Sequence, residues 1–441
     1  MHLLIGLLII ACLFLSESTA RNAPDSIHAN VVAVLALTFL VPALALLQTV
    51  FVSRLWNFES LDQDERASIS RRMTICHTAV WIATSLMISG WTGWQNLVRE
   101  NLGLKYFPVL DDLLVVAPML VAMLLSWGIF FDLQNTRARK TPDTVKQMNR
   151  PGRFRSWLPG RDRIKFIGIR ARLYLLLALV PVLIFAILRD FTDLSRFPPA
   201  VAFSVLLVVA TSLVIGFPDL VCFIWNIKPV ECRKLRQELL EICHKNQVRV
   251  KDVRIWHTQN QVVNAMVVGL VPWRRIIVIS DALLERFTRA ELEAIIRHEA
   301  GHIRLYHMPI RLFLVLLPLI VVGLAEAASL PGVAWTQIVL ASIGLPILVA
   351  KTAPAVAYGI YLVFSLSWIS RRMEFEADHY AATTARDASG TQSVLDALLR
   401  FARLDPARFE RSSLLHPSIR SRMEYIGSLR DLSRGDLSRA D

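Results

Sequence analysis

The chain has 441 residues, 54% of them hydrophobic and 19% charged, and a formal charge of +13 at pH 7. Its apolar residues gather into long blocks, which excludes a string of soluble domains: a bilayer core of roughly 30 Å takes about 20 apolar residues as a helix. The surplus Lys and Arg sit in loops between the blocks, with no basic groove interleaved with aromatics, so the charge reads as membrane orientation and nucleic acid is not an expected partner.

The first block, LLIGLLIIACLFL (3–15), is followed by SESTA (16–20). Residues 1–20 read equally as a signal peptide, with small residues at Ser18 and Ala20, or as a first retained span. Apolar blocks at 31–53, 74–97, 113–131, 172–189 and 200–225 make residues 31–225 a membrane region of about five spans. The loop 132–171 is densely basic, with RARK (137–140), Arg150, Arg153, Arg155 and Arg161 among its cations. The positive-inside rule places it in the cytoplasm, and counting spans places 226–310 there too. Blocks 311–329 and 335–368 make 311–369 two membrane-spanning segments, after which 370–441 lies on the same side. A straight helix over 335–368 would be about 50 Å long, so that block reads as one span with an extension, with Pro346 and Pro354 as candidate kinks. Glu326 and Lys351 fall within these blocks at depths roughly 15 Å or more apart and are not expected to pair. Cys12, Cys76, Cys222, Cys232 and Cys243 include no CxxC pair and read as free thiols.

Segment 226–310 reads as folded, water-facing protein. Leu235, Leu239, Leu240 and Cys243 share one face of a helix over 230–246. Two β-rich runs follow, VRVKDVRIW (248–256) and NAMVVGL (264–270), and the second pairs with RRIIVIS (274–280) as a hairpin. Thr288 with Glu291 is a capping-box start for the helix TRAELEAIIRHEAGHIRLYH (288–307), which Pro309 ends or kinks.

That helix carries RHEAGHIRLYH (297–307). His298 and His302, four residues apart, project from one side. Two imidazoles so placed can bind one Zn²⁺, which lowers the pKa of a bound water to about 7, and Glu299 stands beside the open position to take the proton. HExxH arises by chance in roughly 1% of chains this long, so a third ligand decides the matter. In SRRMEFEADHYA (370–381), Glu374 and Asp378 share a helix face and Glu376 falls on the other. Glu374 could complete a His₂Glu set and Asp378 could brace a ligand histidine, the alternative being a solvated acidic helix face. His307, at the helix end, and His379 are not expected to be ligands. Arg297 and Arg304 argue against a site buried in hydrocarbon.

NAMVVGL, then RRIIVISDALLERFTRAELEAIIRHEAGHI, RRMEFEADHYA and HPSIRSRM (416–423), in that order, resemble the membrane zinc endopeptidases that include the CaaX prenyl proteases and the heat-shock-induced bacterial membrane proteases. The resemblance covers residues 230–430. It implies His298, His302 and Glu374 as ligands of one Zn²⁺ per chain, Glu299 as catalytic base and Asp378 as the supporting acid. It further implies Asn264, Ala265 and Gly269 as a substrate-binding strand, with His416 and Arg422 near the site. Ser418 stands where the family commonly has a second proline, which leaves the role of His416 and Arg422 open.

The expected fold is mostly α: a multi-pass helical membrane protein with a small α+β zincin-like catalytic domain, an HExxH helix plus a short β-hairpin, assembled from 226–310 and 370–441. The expected function is cleavage of membrane-associated or misfolded proteins at the cytoplasmic face of a bacterial inner membrane. A zinc-protease-like signalling receptor is the alternative, weakened by the short outer loops.

Overall fold

In a computed structural model of the chain, the residues described are 27–55, 63–104, 107, 109–135, 161–176, 198–258, 260, 262–327, 347–385, 390–405 and 407–437, with isolated positions at 5, 8, 9, 12, 179, 338, 339 and 342. They form two compact units, residues 1–197 with 340–353 and residues 198–339 with 354–441.

The first unit contains α1 (Ile27–Leu55), α2 (Gln63–Trp91), α3 (Leu110–Asn135) and α4 (Arg161–Arg170). Val41, Trp81, Met119, Met123 and Trp127 form its core. The Trp81 indole donates to the Met119 carbonyl at 3.0 Å, which satisfies a polar group where no water would be available. Arg99 forks onto Asp111 and Asp112 at 2.9 and 2.8 Å, pairing the charges at the start of α3. Apolar side chains such as Val32 and Leu47 point outward, as they do toward lipid. Among the described residues, four helices are long and apolar enough to cross a membrane: Ile27–Val52, Arg72–Trp91, Leu110–Phe131 and, in the second unit, Leu207–Trp225. The chain is a multi-pass helical membrane protein. Most of 1–20, the stretch 136–160 of the basic loop, most of the block at 172–189 and the side chains of Glu326 and Lys351 lie outside the described residues.

The second unit opens with α5 (Pro199–Trp225) and continues through β1 (Ile227–Pro229), α6 (Arg233–Lys245), β2 (Asp252–Trp256), β3 (Ala265–Val268), β4 (Ile276–Ser280) and α7 (Asp281–Arg286). After these come α8 (Arg289–Arg304), α9 (His307–Ala327), α10 (Ile347–Thr383, of which 354–383 belong to this unit), α11 (Gly390–Leu404) and α12 (Ile419–Leu437). The expected hairpin is β3–β4, but it is half of a four-stranded mixed sheet ordered β1-β2-β4-β3, in which β2 and β4 run parallel. Neither added pairing is local, and the three residues of β1 are too few to show alternation. Ile277, Ile279, Leu283, Ile296 and Ala300 pack with Leu239 and Cys243 of α6 into the core beneath the sheet. β3 is an edge strand: among the described residues, no strand pairs along its outer side.

α8 begins at the capping box, Thr288 accepting from the Glu291 N–H while Glu291 accepts from the Thr288 N–H at 2.7 Å. It ends earlier than Pro309 suggests. The chain breaks at Leu305–Tyr306, where Tyr306 takes a φ of +57°, and α9 departs at a bend of 47°. Pro309 sits in the first turn of α9, where its missing N–H would have no intrahelical partner anyway.

The approach of α8 to α10 decides whether a site can exist. Ala300, Ala377 and Ala381 are wholly buried. A Cβ on Gly301 would stand 3.0 Å from Ala377 Cα and 3.2 Å from Tyr380 Cβ. Gly301→Val is therefore expected to cost about 1–3 kcal/mol through overpacking, read as a lowered thermal midpoint in detergent. An unchanged midpoint would contradict so close an approach.

Candidate metal centre

α8 presents His298 and His302 on one face, and α10, crossing at the small residues, presents Glu374. Their donor atoms form a triangle. His298 Nε2 lies 3.2 Å from His302 Nε2, and Glu374 Oε2 and Oε1 lie 3.6 and 3.5 Å from the two nitrogens respectively. Donors at about 2.0–2.1 Å from a tetrahedral ion stand about 3.3 Å apart. The triangle matches that spacing, and N,N,O chemistry with one further position open suits Zn²⁺. The residues present fit the metal.

Each of the two imidazoles is held from behind. His298 Nδ1 faces Asp378 Oδ1 at 2.9 Å, and Arg422 donates to both Asp378 oxygens at 2.7 Å. The bidentate geometry fixes the carboxylate; the carboxylate accepts a hydrogen bond from Nδ1–H, so that Nε2 is the nitrogen turned to the centre. Behind His302 stands a residue read from sequence as peripheral. His307, buried at the start of α9, places Nδ1 2.7 Å from His302 Nδ1, and its Nε2 lies 3.2 Å from Glu376. One tautomer set satisfies the chain: His302 donates to His307, and His307 donates to the Glu376 carboxylate. Glu376 also accepts from Arg372 at 3.1 Å. His307→Ala is expected to weaken zinc affinity roughly 10–100-fold, measured by competition with a chromophoric chelator. Equal affinity in the variant would remove His307 from this role.

The open side of Glu374 is lined by nitrogen donors. His416 Nδ1 approaches Oε2 at 3.1 Å, Arg422 the same oxygen at 3.7 Å, and Arg311, from α9, Oε1 at 3.9 Å. Burial opposes ionisation of Glu374, but hydrogen bonds from His298 and His416 and the nearby positive charges hold its pKa well below the usual carboxylate range. Burial likewise opposes the charge on Asp378, and Arg422 overrides it to lower the pKa. His298 would lose its proton on burial alone; the Asp378 hydrogen bond and charge outweigh that and raise it to about 10. Burial, reinforced by the His298 charge, holds His302 well below its ordinary value. Burial also pushes Glu299 up to about 7, against the charge of His298 and a hydrogen bond from the Val267 N–H. A divalent cation bound there would take the place of the His298 proton, because a ligating imidazole must be neutral.

The structure thus brings His298, Glu299, His302, Glu374, Asp378, His416 and Arg422 together. Ser418, in place of the second proline, accepts from the Ser421 N–H at 3.1 Å and caps α12, the helix that delivers Arg422. Asn264 is exposed and engages the sheet through its backbone, with its carbonyl accepting from Ser280 N–H and its N–H donating to Ser280 Oγ, both at 3.0 Å. Ala265 begins β3, and Gly269 leaves it with a φ of +104°. Val267, between them, touches Glu299. His379 is exposed. The sequence reading set His307 aside as a ligand and put Glu376 on the other face of its helix, without their partnership with His302, and did not single out Arg311. A histidine five residues past His302, across a helix break, has no periodic signal to mark it.

Two histidines on one helix with a glutamate from a second are a His₂Glu donor set of the kind that catalytic zinc sites use. Residues 229–430 match the profile of Peptidase family M48. It is 29% identical over 157 residues to a protein named "Protease HtpX homolog" from Verminephrobacter eiseniae (strain EF01-2), a stretch of 34% of this chain and 51% of the relative. It is 26% identical over 207 residues to "Protease HtpX" of Haemophilus influenzae (strain PittGG), 42% of this chain and 69% of that one. The match thus spans about half the length of the first relative and about two thirds of the second. A crystal structure of S. mikatae Ste24p aligns with a TM-score of 0.49 and 15% identity, over 92% of this chain and 100% of that one.

Proposed function

We propose that this chain is a zinc-dependent membrane endopeptidase that hydrolyses peptide bonds of membrane-associated or misfolded proteins. His298, His302 and Glu374 would hold one zinc ion per chain, with Glu299 as general base. The carrying observation is the convergence of the two Nε2 atoms, 3.2 Å apart, with the Glu374 oxygens 3.6 and 3.5 Å from them, and with the Glu299 carboxyl close enough to interact with His298 and Glu374. The match of residues 229–430 to the profile of Peptidase family M48 supports the same reading.

A zinc ion bound there supplies the Lewis acidity that makes a water acidic near neutral pH. The remaining work falls to the protein. Glu299, with its pKa brought up to about 7 by burial, takes the proton of the attacking water and passes it to the leaving amine. The Val267 N–H holds that carboxylate against β3. An extended substrate that adds to the open edge of β3 runs its peptide bond past Glu299. His416, half exposed at the mouth of the site, donates toward the negative charge that develops on the carbonyl oxygen. Arg422 acts through Asp378 on the orientation of His298. The basic loop 132–171 favours the cytoplasmic face of the membrane, and a bacterial inner membrane is the proposed location.

Full-length protein purified in detergent is expected to hold about one zinc by atomic emission and to cleave casein. Prolonged 1,10-phenanthroline should remove both properties, and added zinc should restore both. Cleavage that persists in metal-free protein would overturn the assignment.

A further inference from the structure

We propose that the β3–β4 turn, Leu270–Trp273, is a wedge seated in the lipid interface, which fixes the free edge of β3 at the bilayer surface. The turn reads Gly-Leu-Val-Pro-Trp-Arg-Arg over 269–275. Its two cations fold back from the tip. Arg275 donates to the Gly269 and Leu270 carbonyls at 3.2 and 2.6 Å. Arg274 donates to the Ile215 carbonyl at 3.4 Å and pairs with Asp219, both on α5. What remains at the tip is apolar, with Pro272 exposed and the Trp273 side chain 70% exposed.

The depth of the tip follows from its attachment. Gly269 lies so close to α5 that a Cβ there would stand 2.7 Å from Pro218 Cγ. The stretch Ile215–Asp219 belongs to the apolar span Leu207–Trp225, about 9–15 Å along the helix from its Trp225 end at 1.5 Å per residue. The turn is therefore fastened beside the span, short of the end where the water-facing sheet begins. Trp273 shares its exposure with Phe223, Phe364 and Trp368, which ride on the long apolar helices; Trp273 itself projects from the sheet. A tryptophan with an arginine that reaches back to a carboxylate is the chemistry of the headgroup–acyl boundary, where an indole stays half-solvated and a cationic stem lies along apolar surface. Exposed to water instead, Leu-Val-Pro-Trp would be an unexplained apolar protrusion.

The functional consequence rests on the peptidase reading. A polypeptide leaving the bilayer beside α5 meets the edge of β3 first, and that edge leads directly to Val267 and Glu299.

The test needs no activity. In full-length protein with the exposed Cys76 and Cys232 replaced by serine, single cysteines at positions 272 and 273 (Pro272→Cys, Trp273→Cys) would carry nitroxide labels in phospholipid nanodiscs. Ala290→Cys serves as control, about 20 Å along α8 from Arg304. Both tip labels are expected to collide several-fold more with oxygen than with a water-soluble nickel chelate, and the control to show the reverse. Tip labels as nickel-accessible as the control, or shielded from both reagents, would overturn the wedge. Either result would leave zinc binding and cleavage untouched, so this proposal and the peptidase reading fail separately.

Discussion

Glu299→Gln is expected to hold zinc as the wild type does while casein cleavage falls by roughly 10²–10⁴-fold, the range of general acid–base contributions. Glutamine keeps the size of the side chain and an oxygen that can accept from the Val267 N–H, but it cannot take a proton. The Glu299 carboxyl is not among the three converging donors, so the metal has no reason to leave. Rate and zinc content measured on the same preparation separate chemistry from binding. A variant that cleaves at the wild-type rate would remove Glu299 from the mechanism. One that also loses its metal would make Glu299 part of the donor set.

Asp378→Ala should produce the largest loss of stability. Asp378 is fully buried, with its side chain 1% exposed, and it holds the Arg422 fork and His298 Nδ1 at once. Its removal leaves a guanidinium largely out of water with no bidentate partner, and breaking one side of a buried pair costs about 3–5 kcal/mol. Released from its carboxylate, His298 also loses its orienting bond, which weakens metal affinity by a further 10–100-fold or so. Thermal unfolding with excess zinc and with chelator separates the two effects. Asp378→Asn, which still accepts from Arg422, should retain more stability than the alanine variant. If both substitutions left the midpoint unchanged, Asp378 would have no bracing role.

Much of this was legible in the sequence, for reasons that differ by element. The apolar blocks at 31–53 and 113–131 announce α1 and α3 because lipid leaves few alternatives to an apolar helix. The Thr288–Glu291 box marks the start of α8 because capping is local chemistry. The i, i+4 pairs His298/His302 and Glu374/Asp378 are visible because helical geometry alone puts each pair on one face. The boundary between α8 and α9 was not legible, since a single left-handed residue at Tyr306 makes the break while Pro309 draws attention to itself. Nor were β1 and its pairing with β2, which depend on tertiary contacts. His307 and Glu376 escaped for the same reason: their partnership with His302 exists only once α9 and α10 lie side by side.

Arg422 lies 124 residues after His298, and the residues that anchor and line the centre come from β3, α8, α9, α10 and α12 in that order. During synthesis the two imidazoles leave the ribosome first, the carboxylates follow only after the segments between them have been made, and the clamp on Asp378 arrives last. A nascent chain therefore carries an open pair of histidines but no finished donor set, and maturation of the centre waits on translation of the C-terminal segment.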